Sequence, residues 1–416
     1  MIQHVNVSQI IDAAPARVVL TRDGEGTLTD AAFDLSGLPR VDAMLTGRPV
    51  VEVPALVERL CGICPQAHHL AGTRALEALS GLTDLPPTAT ALRRLLHYSS
   101  VIAIHIVGLI VTDQAEALIL RRFAKAGMTA SGSPGHFPAT AVPGGVLALA
   151  DPAKVKECVE LVPEALSAAL RLVERSLGVH APPDHFDGAD LALVDDQGNL
   201  DLFGMALSAV SPDGGSVLDR MGPELWDEIV AEAVPGSSAP KPFIRALGAS
   251  SGAYRVGPVA QLRVAQLATP QASDYKDQWR TQGHGAACAR AIIILHCVET
   301  IVDLLANPDL VTGTLITEWS ANLSQAIGVG WVDGARGLLV HRYETTEDAR
   351  VKQATILTPT AQNEPWLGGL LRRAAQGSGK SVQVSLEDAI RTVDPCLPCS
   401  SAPAGTMDLV VDTVST

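Results

Sequence analysis

Two cysteine pairs constrain this chain more than any other feature. The first lies in Glu58-Arg59-Leu60-Cys61-Gly62-Ile63-Cys64-Pro65-Gln66-Ala67-His68, the second in Asp394-Pro395-Cys396-Leu397-Pro398-Cys399. Cys61 and Cys396 are 335 positions apart (396 − 61). A CxxC turn aims both sulfurs at one point, and two such turns supply four thiolates for a single metal site. Neither pair completes that site until the intervening chain has folded.

On spacing alone the pairs admit three occupants. Structural zinc uses such ligands, but its pairs usually lie about 15–20 residues apart, in small domains that need the metal to fold. This chain has 416 residues, 47% of them hydrophobic, and can fill a core without one. A thioredoxin-like dithiol belongs in βαβ surroundings, which are sparse here. An iron–sulfur cluster held by four cysteines is the third occupant. Cys158, Cys288 and Cys297 are scattered and read as small buried apolar residues.

The net charge is −14, and no basic patch carries interleaved aromatics, which argues against a nucleic-acid partner. The longest apolar run, Val101 to Val111, is interrupted by His105 and falls short of the roughly 20 residues of a membrane span. No basic run followed by an apolar stretch opens the chain, so a cytoplasmic protein with reduced thiols is expected.

Residues 17–34 read as a β-hairpin turned at Asp23-Gly24-Glu25-Gly26. Helices are expected around 40–47, from Pro65 to Ser80, and from Thr88 through Val111 to Arg122 as one long central helix. Others follow over Pro152–Leu177, capped by Asp151, over His284–Ala306 and over Pro365–Gln376. Val329–Arg342 and Val351–Leu357 read as strands, with glycines that let backbone approach a site. Residues 180–260, rich in Gly, Pro, Asp and Ser, read as a peripheral irregular subdomain without a phosphate-binding loop. With the cysteines at opposite ends, residues 1–416 are expected to fold as one unit.

His68 follows Cys64 by four residues, so on a helix the two share a face and the imidazole can hydrogen-bond the sulfur. Its plain alternative is an exposed histidine at a helix start. Arg336, between glycines, is a surface residue unless something anionic faces it. His105 and Asp113, eight apart on one predicted helix, need partners if buried. Asp394 is a turn residue on its own evidence.

Taken together, Arg59-x-Cys61-Gly62-x-Cys64-x-x-x-His68 and Asp394-Pro395-Cys396-x-x-Cys399 resemble the two metal-binding motifs of nickel–iron hydrogenase large subunits. Gly47-Arg48-Pro49, Tyr254-Arg255-Val256-Gly257-Pro258, Arg336-Gly337 with His341-Arg342-Tyr343, and Gln362-Asn363 are similar to the soluble cytoplasmic, NAD-reducing branch. The resemblance implies a mainly α fold with small β elements, a helical bundle around a buried metal site. It implies a nickel–iron centre with carbonyl and cyanide on the iron. Cys61 and Cys396 would be terminal nickel ligands, and Cys64 and Cys399 would bridge nickel and iron. Arg336 would hang over the open metal position, oriented by Asp113 and Asp394, with His68 hydrogen-bonded to a bridging sulfur. Asp42 stands where a glutamate usually completes a magnesium site. The implied partners are maturation proteins, a diaphorase-type electron-transfer module and an iron–sulfur small subunit.

The chain departs from that pattern near both ends. Ile11-Asp12-Ala13-Ala14-Pro15 lacks the usual proton-passing glutamate, for which Glu58 and Asp12 are candidate substitutes. Ala402 occupies the position of the usual histidine, where maturation proteases cut, and Ala335 that of a proline. The expectation is therefore a hydrogenase that splits dihydrogen heterolytically. The alternative is a non-catalytic paralogue serving as an assembly scaffold, hydrogen sensor or structural subunit.

Overall fold

The computed structural model describes residues 16–35, 41–110, 112–133, 135–179, 185–234, 240–282, 285–320, 322–376, 382–397 and 405–415. The expected hairpin forms from β1 (Ala16–Arg22) and β2 (Leu28–Phe33). Asp23 Oδ1 fastens its turn by accepting the N–H groups of Glu25 and Thr27. Two short helices, α1 (Val41–Leu45) and α2 (Val53–Leu60), lead to the first cysteine pair. α3 (Pro65–Leu79) starts directly after it, with Pro65 at the first helical position, where a missing N–H costs nothing.

The single long helix expected next is two. α4 (Pro87–His105) passes into a 3₁₀ turn at Ile106–Leu109, and the chain reverses into α5 (Gln114–Ala130). Apolar residues run across the break, so hydrophobic periodicity conceals it. Gly108 and the β-branched residues around it weaken the helix, and Asp113 sits in the N-cap position of α5. A small hairpin, β3 (Ala141–Val142) with β4 (Gly145–Val146), precedes α6 (Pro152–Leu177). The N-cap Asp151 accepts the Ala153 N–H at 2.8 Å, as expected.

The next stretch holds β5 (Ala189–Val194), β6 (Ala206–Val210), β7 (Ser216–Met221), α7 (Trp226–Ile229), β8 (Val230–Glu232), β9 (Pro242–Ile244) and β10 (Tyr254–Arg255). It is only partly peripheral. All six residues of β5 are buried, in a sheet ordered β10-β5-β6-β7. A strand covered on both faces reads as a plain apolar run, which does not reveal its depth.

α8 (Pro258–Val264), α9 (Pro270–Gln282) and α10 (Ala286–Leu305) follow, then the antiparallel sheet β11 (Ile327–Gly334), β12 (Gly337–Thr345) and β13 (Val351–Leu357). The chain ends in α11 (Pro359–Gln362), α12 (Glu364–Gln376), α13 (Val382–Val393) and β14 (Leu409–Ser415). β14 lies parallel to β1, from Ala16 opposite Leu409 to Arg22 opposite Ser415.

The main core joins α4, α5, α6 and α10, and Cys158, Cys288 and Cys297 are buried in it. α3 lies on β11, where a Cβ at Gly330 would come within 2.2 Å of the Ala71 carbonyl oxygen; glycine allows that approach. The buried pair Arg93–Glu77, two contacts of 3.0 and 2.7 Å, ties α4 to α3. Arg93 also donates to Val142 and Gly145 carbonyls in the small hairpin. The fold is mainly helical with small sheets, and it fixes α3 from two sides.

Candidate metal centre

The first cysteine pair fills the corner between two helices. Cys61 ends α2, its N–H bonded to the Val57 carbonyl, and Cys64 sits at the N-cap of α3. That position favours a thiolate, because the open N–H groups of a helix start carry partial positive charge. Cys396 arrives from the opposite end of the chain. α13 ends at Val393, and the next residue, Asp394, adopts φ +55°, a left-handed turn that Asp tolerates better than most residues. The Cys396 N–H then donates to Thr360 Oγ1 at 2.8 Å.

These turns place Cys61 Sγ 3.2 Å from Cys64 Sγ, and Cys64 Sγ 3.8 Å from Cys396 Sγ. Such gaps are too long for disulfides. Thiolates sharing one metal at about 2.3 Å lie roughly 3.3–3.8 Å apart. The sulfurs also compete for negative charge. Contacts with Cys396 and Cys64 lower the pKa of Cys61, while Cys64 is raised by Cys396 and Cys61, and Cys396 is pushed up to about 12 by Cys61. A cation among them removes that competition. Cys399 lies outside the described residues.

Arg336 covers this cluster from the β11–β12 turn. Its Nε donates to the Asp394 carbonyl at 2.9 Å and its Nη2 to Asp394 Oδ1 at 3.2 Å. Nη1 is buried and has no partner among the described residues. Burial works against the charge of Arg336, but Asp394, Cys396 and Cys64 outweigh it and raise its pKa. A buried donor left open near the cysteine sulfurs fits a site built for a further ligand. The donor set therefore suits a soft or borderline metal.

The other resembling motifs converge behind Arg336. Gly257 (φ +93°) and Gly337 (φ +120°) let the two backbones meet: a Cβ on Gly257 would lie 2.7 Å from the Arg336 carbonyl oxygen, and one on Gly337 would lie 2.6 Å from the Gly257 nitrogen. Asn363 Oδ1 accepts the Val256 N–H at 2.8 Å, and Tyr254 donates to Gln362 Oε1 at 3.2 Å. The loop carrying Arg336 is thus held by residues from three distant stretches.

Several sequence expectations change here. Asp113 does not orient Arg336. Its carboxylate pairs with Arg175 on α6 at 2.8 Å, because the break after α4 turns it toward that helix. His68 is buried, which rules out the exposed alternative. One of its ring nitrogens lies within 4.8 Å of both the Cys61 and Cys64 sulfurs, and His68 lowers the pKa of Cys61. His68 Nδ1 meets His341 Nε2 at 2.9 Å, and His341 Nδ1 meets the Tyr343 hydroxyl at 2.6 Å. Burial keeps His341 neutral and Tyr343 protonated. Tyr343 then donates to His341 and His341 to His68 Nδ1, which leaves His68 Nε2–H without a partner in that chain of bonds. Period-two alternation along β12 puts His341 and Tyr343 on one face, a signal present in the sequence.

Glu58 and His69 form a separate buried pair: His69 Nε2 accepts the Ala141 N–H, so Nδ1–H donates to Glu58 Oε2 at 2.9 Å. Asp12 lies outside the described residues. Asp42 Oδ1 accepts the Ile356 N–H at 3.1 Å. Among the described residues, the one cluster of His, Cys, Asp or Glu close enough to share an ion is Cys61, Cys64 and His68, and Asp42 is not part of it.

Known proteins assign this architecture to a class. Residues 40–110 match the nickel-dependent hydrogenase family. That stretch, with the relatives and the solved structure that follow, makes the chain similar to nickel-dependent hydrogenases, and its sulfur donors suit the soft or borderline metals of such a centre. Among individual relatives, it is 29% identical to a subunit of the vhu F420-non-reducing hydrogenase of Methanocaldococcus jannaschii, over 86% of this chain and 95% of that one. It is 28% identical to the beta subunit of the NAD-reducing hydrogenase HoxS of Cupriavidus necator, over 95% and 93%. The crystal structure of an NAD+-reducing [NiFe]-hydrogenase in the H2-reduced state superposes with a TM-score of 0.82, at 29% identity, over 92% of this chain and 95% of that one.

Proposed function

We propose that this chain is the catalytic large subunit of a nickel–iron hydrogenase, cleaving dihydrogen heterolytically and reversibly. The observation that carries the reading is the convergence of three sulfurs from opposite chain ends beneath a buried guanidinium with one open donor. Cys61, Cys64, Cys396 and Cys399 would hold the metals, with carbonyl and cyanide completing the iron. Bound there, the centre supplies a Lewis acid that polarises dihydrogen and a redox couple for its two electrons.

The protein's own groups do the rest. Arg336 stays protonated, so it is a donor and not the base. The proton is accepted at a sulfur, and Cys396 Sγ, beneath Arg336 and next to Asp394, is the one we assign. The His341–His68 chain orients His68 beside Cys61. Cys158, Cys288 and Cys297 are buried in the helical core and supply no electron relay, so electrons pass to an iron–sulfur partner. Among the described residues, no helix is long and apolar enough to cross a membrane. We place the protein in the cytoplasm.

Metal analysis with infrared spectroscopy of the purified protein tests this reading. Nickel and iron at about one each per chain, with carbonyl and cyanide bands, is the expected result. A zinc-filled protein, or one without those bands, would overturn it in favour of a non-catalytic paralogue.

A further inference from the structure

The helix that delivers Cys396 is closed by an arginine from another helix of the molecule. α13 ends at Val393, and Cys396 follows three residues later (396 − 393). A helix end leaves its last carbonyls without intrahelical partners, so water, a turn or a side chain must satisfy them. Here the Asp394 N–H takes the Ile390 carbonyl at 2.8 Å. The next two carbonyls go to Arg290 on α10, whose Nη2 donates to Arg391 at 3.0 Å and to Thr392. Arg336 then takes the Asp394 carbonyl through its Nε. Two guanidiniums from distant elements thus grip one helix end, on either side of the step into the left-handed turn at Asp394.

This arrangement works against charge as well as with it. Burial lowers the pKa of Arg290, Asp394 raises it and Arg336 lowers it, so two like charges converge on one turn with one carboxylate to offset them. The negative end of the α13 dipole favours a cation at that place. α10 belongs to the main core with α4 and α6, so Arg290 ties the end of α13 to that core. Pro395 has its φ locked by its ring, which leaves little slack between the helix end and Cys396. Both carbonyls that Arg290 holds lie before Cys396 in the chain, so a maturation cut at position 402 leaves them in place.

We propose that Arg290 is a positioning residue: it closes the end of α13 and so sets where the Asp394 turn carries Cys396 relative to Cys61 and Cys64. The proposal rests on the metal-centre reading for the use made of Cys396, while the positioning itself acts on the thiol whether or not a metal is bound.

The test uses full-length, metal-stripped protein. Alkylation by iodoacetamide is followed at each cysteine by peptide mass spectrometry, with denaturant unfolding measured alongside. In Arg290→Gln, Cys396 is expected to react about tenfold faster than in the parent, with Cys61 and Cys64 at parent rates. Losing a positive charge would by itself disfavour the thiolate and slow the reaction, so a faster rate reports position and access. Arg290→Lys keeps the charge but not the fork, and should fall between, with Cys396 about threefold faster than in the parent. A cap that only stabilises the fold would lower the denaturant midpoint and leave the three rates in their parent ratio, and that outcome overturns the proposal. So does an unchanged rate at Cys396. Should Arg290→Gln fail to fold, Arg290→Lys decides alone: parent-like alkylation of Cys396, or an equal rise at all three thiols, refutes the positioning role. The alkylation readout needs no nickel, so a protein without nickel or carbonyl bands fails the hydrogenase reading and can still pass this test.

Discussion

The two thiol-bearing segments reach the same point by different physical routes. The first is local. A helix end, two intervening residues and a helix start fix Cys61 and Cys64, and the glycine and proline of the turn are neighbours in sequence. The second is held from afar. Cys396 depends on Thr360 for its backbone and on Arg336 for the turn at Asp394. A site assembled this way has one half that forms with its helices and another that forms only when the chain is complete.

Arg336→Lys should separate the two segments most visibly. Lysine cannot reproduce the two contacts to Asp394 while leaving a third donor over the sulfurs. Dihydrogen turnover is expected to drop on the order of 10²-fold, the usual effect of removing one preorganised donor, with nickel content retained. Lysine can keep one contact to Asp394, so parallel activity and metal assays decide it; loss of the metal as well would mean that one contact does not hold the turn before Cys396.

Acid should treat the two segments alike, because both hang on the α4–α10 core. Burial pushes His97 and His296 down to about 4. Their unfolded forms titrate near 6.5, so between pH 6.5 and 4 the unfolded chain binds protons that the native core refuses. Stability is therefore complete above about pH 6.5 and is lost as pH falls to 4, by up to about 3 kcal/mol for each histidine. Denaturant unfolding at pH 7 and pH 4.5 measures the difference. A flat profile would mean that neither histidine stays neutral in the core.

Thr360→Val should produce the smallest effect and the most local one. It removes the acceptor for the Cys396 N–H while keeping the side chain's shape, at a cost of about 1 kcal/mol. Nickel affinity is expected to fall by roughly fivefold, with Cys61 and Cys64 as protected from alkylation as before. Competition with a chelator gives the affinity, and an equal loosening of both pairs would contradict the division between a local and a distant segment.

Sequence patterns reached the first segment well. Pro65 after Cys64 marks the start of α3, Asp151 marks α6, and turn residues mark the β1–β2 hairpin, each through a short-range preference. They failed where a side chain's partner lies far along the chain. The resemblance makes Asp113 a companion of Arg336, and the apolar run hides the reversal before α5; in the fold its companion is Arg175. His341 was legible as a motif residue, but its bond to His68 joins positions 273 apart. β5 carries no mark of its depth, since a covered strand and a core helix fragment share one apolar alphabet.

The chemical groups of the site are all written in the amino-acid order: two pairs of thiols, an arginine between glycines and a histidine one helical turn past a cysteine. The local geometry of the first pair is written there too, because it depends on residues within a turn or two of each other. Which carboxylate holds Arg336, which thiol His68 serves and how the second pair is brought to the first are settled by folding. Those choices rest on contacts whose energies are small singly and exist only after long stretches of chain have closed.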